Sequence, residues 1–282
     1  ESYLFGKIAK KNKSAYFFTS HAPSIPTTGM LKGMARPVHF LKTLNTYFLR
    51  QAIIEADQVA VFSHFSRDLI MKGINNTCAN KIKVISPGVE SSWFEVERKP
   101  SSGSALLFWG RIEEEKGLRE LFHALKTVSK KIKGVSLTIV GEGNRLREYK
   151  SLVADLSLTD RVEFTGWLCS TKIQNLTARS SLGIFPSRVE SFGLSVVEAM
   201  GAGLPVIAAS GGAVPENIEQ GVTGTLVPVN DADALARAII FILENVQHAE
   251  SMAKAAKMVV QQKFTWDKAA NKMIDLYELY TE

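Results

Sequence analysis

The segment Pro186-Ser187-Arg188-Val189-Glu190-Ser191-Phe192-Gly193-Leu194-Ser195-Val196-Val197-Glu198 sets two carboxylates eight positions apart with a glycine between them. An apolar strand, Leu182 to Pro186, runs into it, so Glu190 belongs in the loop after that strand. A helix that begins near Gly193 carries Glu198. A helix start presents unpaired backbone N–H groups and the positive end of a dipole, and therefore attracts anions. Carboxylates on both sides of such a seat repel phosphate unless they hold hydroxyl groups instead. A ligand with an anionic middle and polyhydroxylated ends meets both demands, and a nucleoside-diphosphate sugar is one. Taken alone, two glutamates at this spacing also read as solvated residues of a helix end.

Around that segment the chain alternates short apolar strands with amphipathic helices. Leu106-Leu107-Phe108-Trp109-Gly110-Arg111 reads as a buried strand entering a glycine turn, and Lys116-Gly117 precedes a helix over Gly117 to Lys133. In that helix Leu118, Leu121, Phe122, Leu125 and Val128 share one stripe. Val135 to Gly141, ending in the turn Gly141-Glu142-Gly143, is a further strand; so are Val162 to Gly166 and Leu204 to Ala209. This order predicts a parallel sheet covered by helices on both faces, an α/β fold. Asp231-Ala232-Asp233 is assigned as a helix N-cap with a first-turn acid rather than a metal–diphosphate ligand, because Leu235, Ala236 and Ile239 follow at helical spacing. That helix runs to Asn245, and two more cover Ala249 to Gln262 and Trp266 to Tyr280.

In the first hundred residues, Ala15 to Ser20, Gln58 to Ser63 and Lys83 to Ser86 read as strands. Val38 to Ala56 reads as an amphipathic helix with Phe40, Leu41, Leu44, Tyr47 and Phe48 on one face. Ser92 to Gly103 is charged, rich in serine and contains Pro100, and reads as an interdomain linker. The domain expectation is therefore 1–99, 100–262, and a terminal helix over 263–282.

With 45% hydrophobic residues the chain can bury a sizeable core, and its longest run of low charge is broken by glycines and Pro205, unlike a membrane span. The N-terminus lacks the basic-then-apolar order of a signal peptide. Cys78 and Cys169 have no metal or redox spacing, so the expectation is a reduced, cytoplasmic protein. Residues 1–50 hold eight Lys and Arg against Glu1 alone, a local +7 in a chain of net +6. Two readings of that concentration stand open: a solvated face, or a surface for an anionic partner such as a lipid bilayer. Nucleic acid is the least favoured partner, because no binding module accompanies the charge.

Taken together, the Gly-Arg and Lys-Gly turn, the Gly-Glu-Gly turn, the Glu-x7-Glu segment, Gly211-Gly212 with Glu216, and Gly221-Val222-Thr223-Gly224 resemble the retaining nucleotide-sugar glycosyltransferases of family 4. Ala56-Asp57-Gln58-Val59 and Val84-Ile85-Ser86-Pro87-Gly88-Val89 look like the second half of that family's first domain. The resemblance implies a GT-B fold, two Rossmann-like domains with parallel sheets, with the first half of the N-terminal domain missing. The chain is then either a fragment or one part of a split protein completed by a separate polypeptide. It also implies transfer of a hexosyl group to a glycan, lipid-linked or small-molecule acceptor, in cell-surface glycan or glycolipid synthesis, with no metal or other cofactor. The alternative is a donor-binding subunit without activity of its own.

Residue by residue, the resemblance assigns Arg111 and Lys116 to the donor diphosphate, Glu190 to the hydroxyls of the transferred sugar and Glu198 to the ribose. The N–H groups of Phe192, Gly193 and Leu194 meet the phosphates at the helix start, Gly110 and Ser191 belong to the donor site, and Gly141, Trp167 and Leu168 border the base. Pairing with the acidic run Glu113-Glu114-Glu115 stays open for Lys116, and a plain core position stays open for Trp167. His21, at the end of a strand, falls where the family carries a histidine beside the reacting sugar. The Lys, Arg and aromatic residues concentrated in 1–50 suggest in addition an acceptor face that touches an anionic bilayer, at the inner face of the membrane.

Overall fold

The computed structural model describes residues 15, 17–20, 47–74, 79–99 and 104–279, which fall into two compact units. His21, Cys78 and most of residues 1–50 lie outside the described residues. The first unit draws on residues 1–86 and 269–282, the second on residues 87–268.

In the first unit, β1 (Phe17–Ser20), β2 (Gln58–Val61) and β3 (Ile82–Val84) form a parallel sheet in the order β1-β2-β3. Parallel neighbours need a crossover, and between β2 and β3 it is α2 (His64–Gly73). Ser63 caps that helix, its side-chain oxygen accepting from the Ser66 N–H at 3.1 Å. Of the helix expected over 38–56, residues 47–55 are helical (α1) and the rest lies outside the described residues. Ile53, Val59, Val61, Ile70 and Ile82 make one core on this sheet. Ala60 and Ile85 make another with Leu276, from the part of the last helix that belongs to this unit.

The second unit carries six parallel strands, β4 (Ala105–Trp109), β5 (Ser136–Val140), β6 (Val162–Gly166), β7 (Leu182–Phe185), β8 (Val206–Ala209) and β9 (Thr225–Val227). Their order is β6-β5-β4-β7-β8-β9. Helices cover the sheet: α3 (Leu118–Lys131), α4 (Leu146–Asp155), α5 (Ser170–Arg179), α6 (Leu194–Gly201), α7 (Val214–Asn217), α8 (Ala232–Glu244), α9 (Val246–Lys263) and the start of α10 (Trp266–Glu278). Leu106, Leu107, Phe108, Leu182, Ile184 and Ile207 are fully buried, as continuous apolar strands covered on both faces must be. The expected stripe of α3, Leu118 through Val128, faces this core. Asp231 caps α8, accepting from the Ala234 N–H at 2.7 Å, as its place ahead of Leu235 predicts.

From β4 the chain builds outward to β6, then returns to β7 on the other side of β4 and builds outward to β9. The strand order therefore reverses between β4 and β7. In open α/β sheets, ligands bind beyond the carboxyl ends of the strands at such a switch point.

Of the expected linker over Ser92 to Gly103, residues 92–99 pack into the second unit, and residues 100–103 lie outside the described residues. Trp93 is 2% exposed and lies parallel to Trp109 at 5.6 Å between centroids. The Arg98 guanidinium donates to the carbonyls of Gly203 (2.8 Å) and Ser180 (3.2 Å), and the Lys99 N–H to Ala178 (2.8 Å). A segment that buries a tryptophan and an arginine stem is part of the unit. For that reason the units divide at 86/87 and 268/269 rather than at the expected 99/100 and 262/263.

Gly117 ties the two halves of the sheet together. It ends the turn Glu114–Lys116 at φ +67° and starts α3, and a Cβ there would lie 2.0 Å from the Pro186 carbonyl oxygen at the end of β7. Gly117→Ala combines left-handed strain with that clash and is expected to destabilise the protein by about 2 kcal/mol, read as a lower urea midpoint. An unchanged midpoint would show that this turn is not locked against β7.

Candidate active site

The turn after β4 and the loop after β7 meet at the switch point. Glu190 and Lys116, 74 positions apart in sequence, form an ion pair with Nζ 2.6 Å from Oε1, and their side chains are only 20% and 14% exposed. Lys116 thus does not pair with the acidic run before it, whose members have other partners. Glu115 pairs with Arg111 (3.1 Å), Glu114 pairs with Arg145 (2.6 Å) and Arg188 (3.4 Å), and Glu113 accepts from the Asn144 N–H (3.3 Å). Arg188 also reaches Glu120 on α3 at 2.9 Å, and its N–H donates to the Glu115 carbonyl at 2.7 Å. These contacts fasten the loop holding Glu190 to the turn holding Lys116.

Beyond Glu190 the chain turns into α6 through Gly193, whose φ of +85° suits a residue without a side chain. The N–H groups of Phe192, Gly193 and Leu194 find no acceptor among the described residues. They are the orphan donors that make a helix start an anion seat. The Phe192 side chain is buried against Phe264, that of Leu194 is exposed, and Ser191 is half-buried. Asn217 holds the turn from behind, its side-chain amide donating to the Phe192 carbonyl at 2.5 Å.

Next to the turn after β4 opens a cavity of about 310 Å³, lined by Trp109, Gly110, Arg111, Val140, Gly141, Glu142, Trp167, Leu168 and Ile173. Five residues assigned from sequence, Gly110, Arg111, Gly141, Trp167 and Leu168, therefore share one hollow. Trp167 is 71% exposed, which removes the core reading for it. Its loop after β6 carries the ring out over the cavity wall instead of into the sheet. The Arg111 side chain is 72% exposed, and among the described residues its one ion pair is the surface contact with Glu115.

Glu198 does not itself line this cavity. It sits inside α6, and its Oε2 accepts from the Trp109 indole N–H at 3.0 Å. Burial lifts its pKa to about 7; the indole N–H works against that rise and the Glu90 carboxylate adds to it.

Sequence reasoning missed Trp109, Ile173, Arg188 and Asn217. The available signal for Trp109 was its place as the last residue of a buried strand, directly ahead of the glycine turn. For Arg188 it was an arginine within the Glu190 segment itself. Nothing local marks Ile173 or Asn217.

The family model for glycosyl transferases group 1 matches residues 89–259, more than half of the chain. The chain belongs to the glycosyl transferases group 1 family. A glycogen synthase of Mycobacterium tuberculosis is 32% identical over 203 residues, covering 70% of this chain and 48% of that protein. The GDP-mannose-dependent alpha-(1-6)-phosphatidylinositol monomannoside mannosyltransferase of the same species is 28% identical over 214 residues, covering 70% and 56%. The chain thus spans about half the length of these curated relatives. Among solved structures, Anabaena HepE in complex with UDP-glucose superimposes with a TM-score of 0.82 at 23% identity, over 98% of this chain and 76% of that one. At that identity the likeness establishes the fold, GT-B, an α/β architecture with parallel sheets. No helix among the described residues is long and apolar enough to cross a membrane.

Proposed function

We propose that the protein moves a hexosyl group from a nucleoside-diphosphate sugar to an acceptor hydroxyl, with retention at the anomeric carbon. The observation that carries this reading is the Lys116–Glu190 pair at the sheet's switch point, beside the unoccupied N–H groups of residues 192–194. Those amides, Lys116 and Arg111 hold the diphosphate, Glu190 takes hydroxyls of the sugar, Glu198 takes the ribose, and the hollow at Trp167 and Leu168 takes the base.

As the bond from the sugar to the β-phosphate breaks, negative charge gathers on that phosphate. One fixed cation near 4 Å stabilises it by roughly 4 kcal/mol at an effective dielectric of about 20, before desolvation. The two cations thus supply what a metal supplies elsewhere. Glu190, already bound by Lys116, is poorly disposed to act as a general base. That supports front-face transfer, in which the new bond to the acceptor oxygen forms on the side the phosphate leaves and the acceptor's proton passes to the phosphate. His21 is proposed to orient the sugar.

The relatives' names include a glycogen synthase and a phosphatidylinositol monomannoside mannosyltransferase. With the basic concentration in residues 1–50, they support a glycan or glycolipid acceptor met at the inner, anionic face of a membrane. Liposome flotation tests the membrane part: equal recovery with anionic and neutral vesicles removes it.

A thermal-shift screen with UDP, GDP and ADP tests the donor site, since a ligand at a hundred times its Kd stabilises the native state by about 2.7 kcal/mol. A rise with one nucleotide is expected, with uridine the first candidate on the HepE complex; no rise with any of the three sinks the assignment. Trp167→Ala should leave stability within about 0.5 kcal/mol, because the ring is exposed, and weaken binding of that nucleotide several-fold. Retention is read by NMR of the product's anomeric configuration.

A further inference from the structure

Among the described residues, Trp109 is the one that both lines the cavity and touches Glu198. Its ring is 5% exposed and fixed on two sides. Trp93 lies against its face at 5.6 Å and 8°, and Phe185 meets it edge-on at 4.8 Å and 86°. A ring held in this way cannot turn its N–H to another acceptor, so the carboxylate must come to it. Among the described residues the indole is the sole hydrogen-bond donor to Glu198, and the charged group facing that carboxylate is the Glu90 carboxylate. A carboxylate offers about four acceptor sites; here one is filled, in a place mostly closed to water. The remaining sites, next to a hollow sized for a base, call for neutral O–H donors.

We infer that Trp109 is the positioning residue for recognition of the nucleoside's ribose diol, holding Glu198 in the orientation that accepts the two hydroxyls. This rests on the nucleotide-sugar reading above and adds to it a residue that the sequence motifs do not contain. A tryptophan that merely filled the core would stack equally well with its N–H pointed elsewhere. The indole makes the carboxylate's position a property of the aromatic stack Trp93–Trp109–Phe185, which is anchored in the segment 87–99 and in the sheet. It also favours the ionised carboxylate, which accepts from both hydroxyls, against the burial that favours the protonated one.

The test is calorimetric titration of the purified chain with UDP and 2′-deoxy-UDP at pH 8. The wild-type protein is expected to bind UDP about tenfold tighter than its 2′-deoxy analogue. Trp109→Phe keeps a ring in the stack and removes the donor; it should weaken UDP about tenfold and bring the two ligands within about threefold of each other. Glu198→Gln leaves the stack whole and should compress the ratio in the same way, and adding Trp109→Phe to it should change little further. If Trp109→Phe does not fold, Trp109→Met, which also lacks the donor, takes its place in the same comparison. Where the wild type takes GDP instead of UDP, GDP and 2′-deoxy-GDP are titrated likewise. A full ratio retained in the variants overturns the role of Trp109 while leaving the nucleotide site intact. A wild-type chain that binds no nucleotide overturns the nucleotide reading and this inference together.

Discussion

Replacing Glu190 by Gln should lower turnover by about a hundredfold or more, with a smaller loss of stability than Lys116→Ala because the amide oxygen still accepts from Lys116, and Lys116→Ala should lower turnover at least as much. The magnitude follows from the cost of removing one preorganised charge or donor from the place where charge develops, typically a hundredfold to a thousandfold. The two variants differ in what they leave behind. Glu190→Gln keeps an oxygen that accepts from Lys116 and removes only the negative charge. Lys116→Ala strands a carboxylate whose side chain is only 20% exposed, so it should also destabilise the fold. Because the two side chains act as one unit at 2.6 Å, the double variant should be little slower than the worse single one. The measurement is kcat at saturating donor. Near-normal rates in both variants would remove the pair from the reaction.

Glu198→Gln should make the protein more stable at pH 8, by up to roughly 3 kcal/mol, and leave it nearly unchanged at pH 4.5. Burial raises the carboxyl from 4.5 to about 7 in the folded state. Between those values the folded chain keeps a proton that the unfolded chain has released, so this group's contribution to stability falls as pH rises through the window and stays at its lowest above it. The rise from 4.5 to about 7, at about 1.36 kcal/mol for each factor of ten in the proton equilibrium, sets the size. Glutamine carries no charge to desolvate, and its carbonyl oxygen still accepts from the Trp109 N–H. Urea midpoints of wild type and variant at the two pH values check the expectation. A difference that does not vary with pH would show that the carboxylate is not the group penalised. Loss of nucleotide binding alongside the gain in stability would mark Glu198 as a residue retained for the ligand at the expense of the fold.

Much of the second unit is legible in the linear chain because its rules are local. Leu106 to Phe108, Leu182 to Phe185 and Val206 to Ala209 are apolar throughout because each strand is covered on both faces, and that shows as an unbroken run. The stripe from Leu118 to Val128 repeats at helical spacing, and Asp231 stands one residue ahead of its helix. Likewise Gly193 and Glu198 follow Glu190 within a single turn and helix, so the spacing of the motif already places them.

Tertiary structure decided everything that joins one such piece to another. Lys116 stands beside three glutamates in sequence yet pairs with Glu190, because the crossover returns β7 to the side of β4 and sets their loops together. Ser92 to Gly103 has the composition of a linker, but Trp93 finds the face of Trp109, and an aromatic burial of that size outweighs the signal of charge and serine. Trp109 shows in sequence only as an apolar strand residue, and its N–H acquires a partner only when α6 carries Glu198 against it. The chain by itself determined the strands, the turns and the helix start at Gly193, since propensity and periodicity act within a few residues. Which cation meets which carboxylate, and which carboxylate is buried, depended on distances across 74 and 89 positions that only the packed sheet closes.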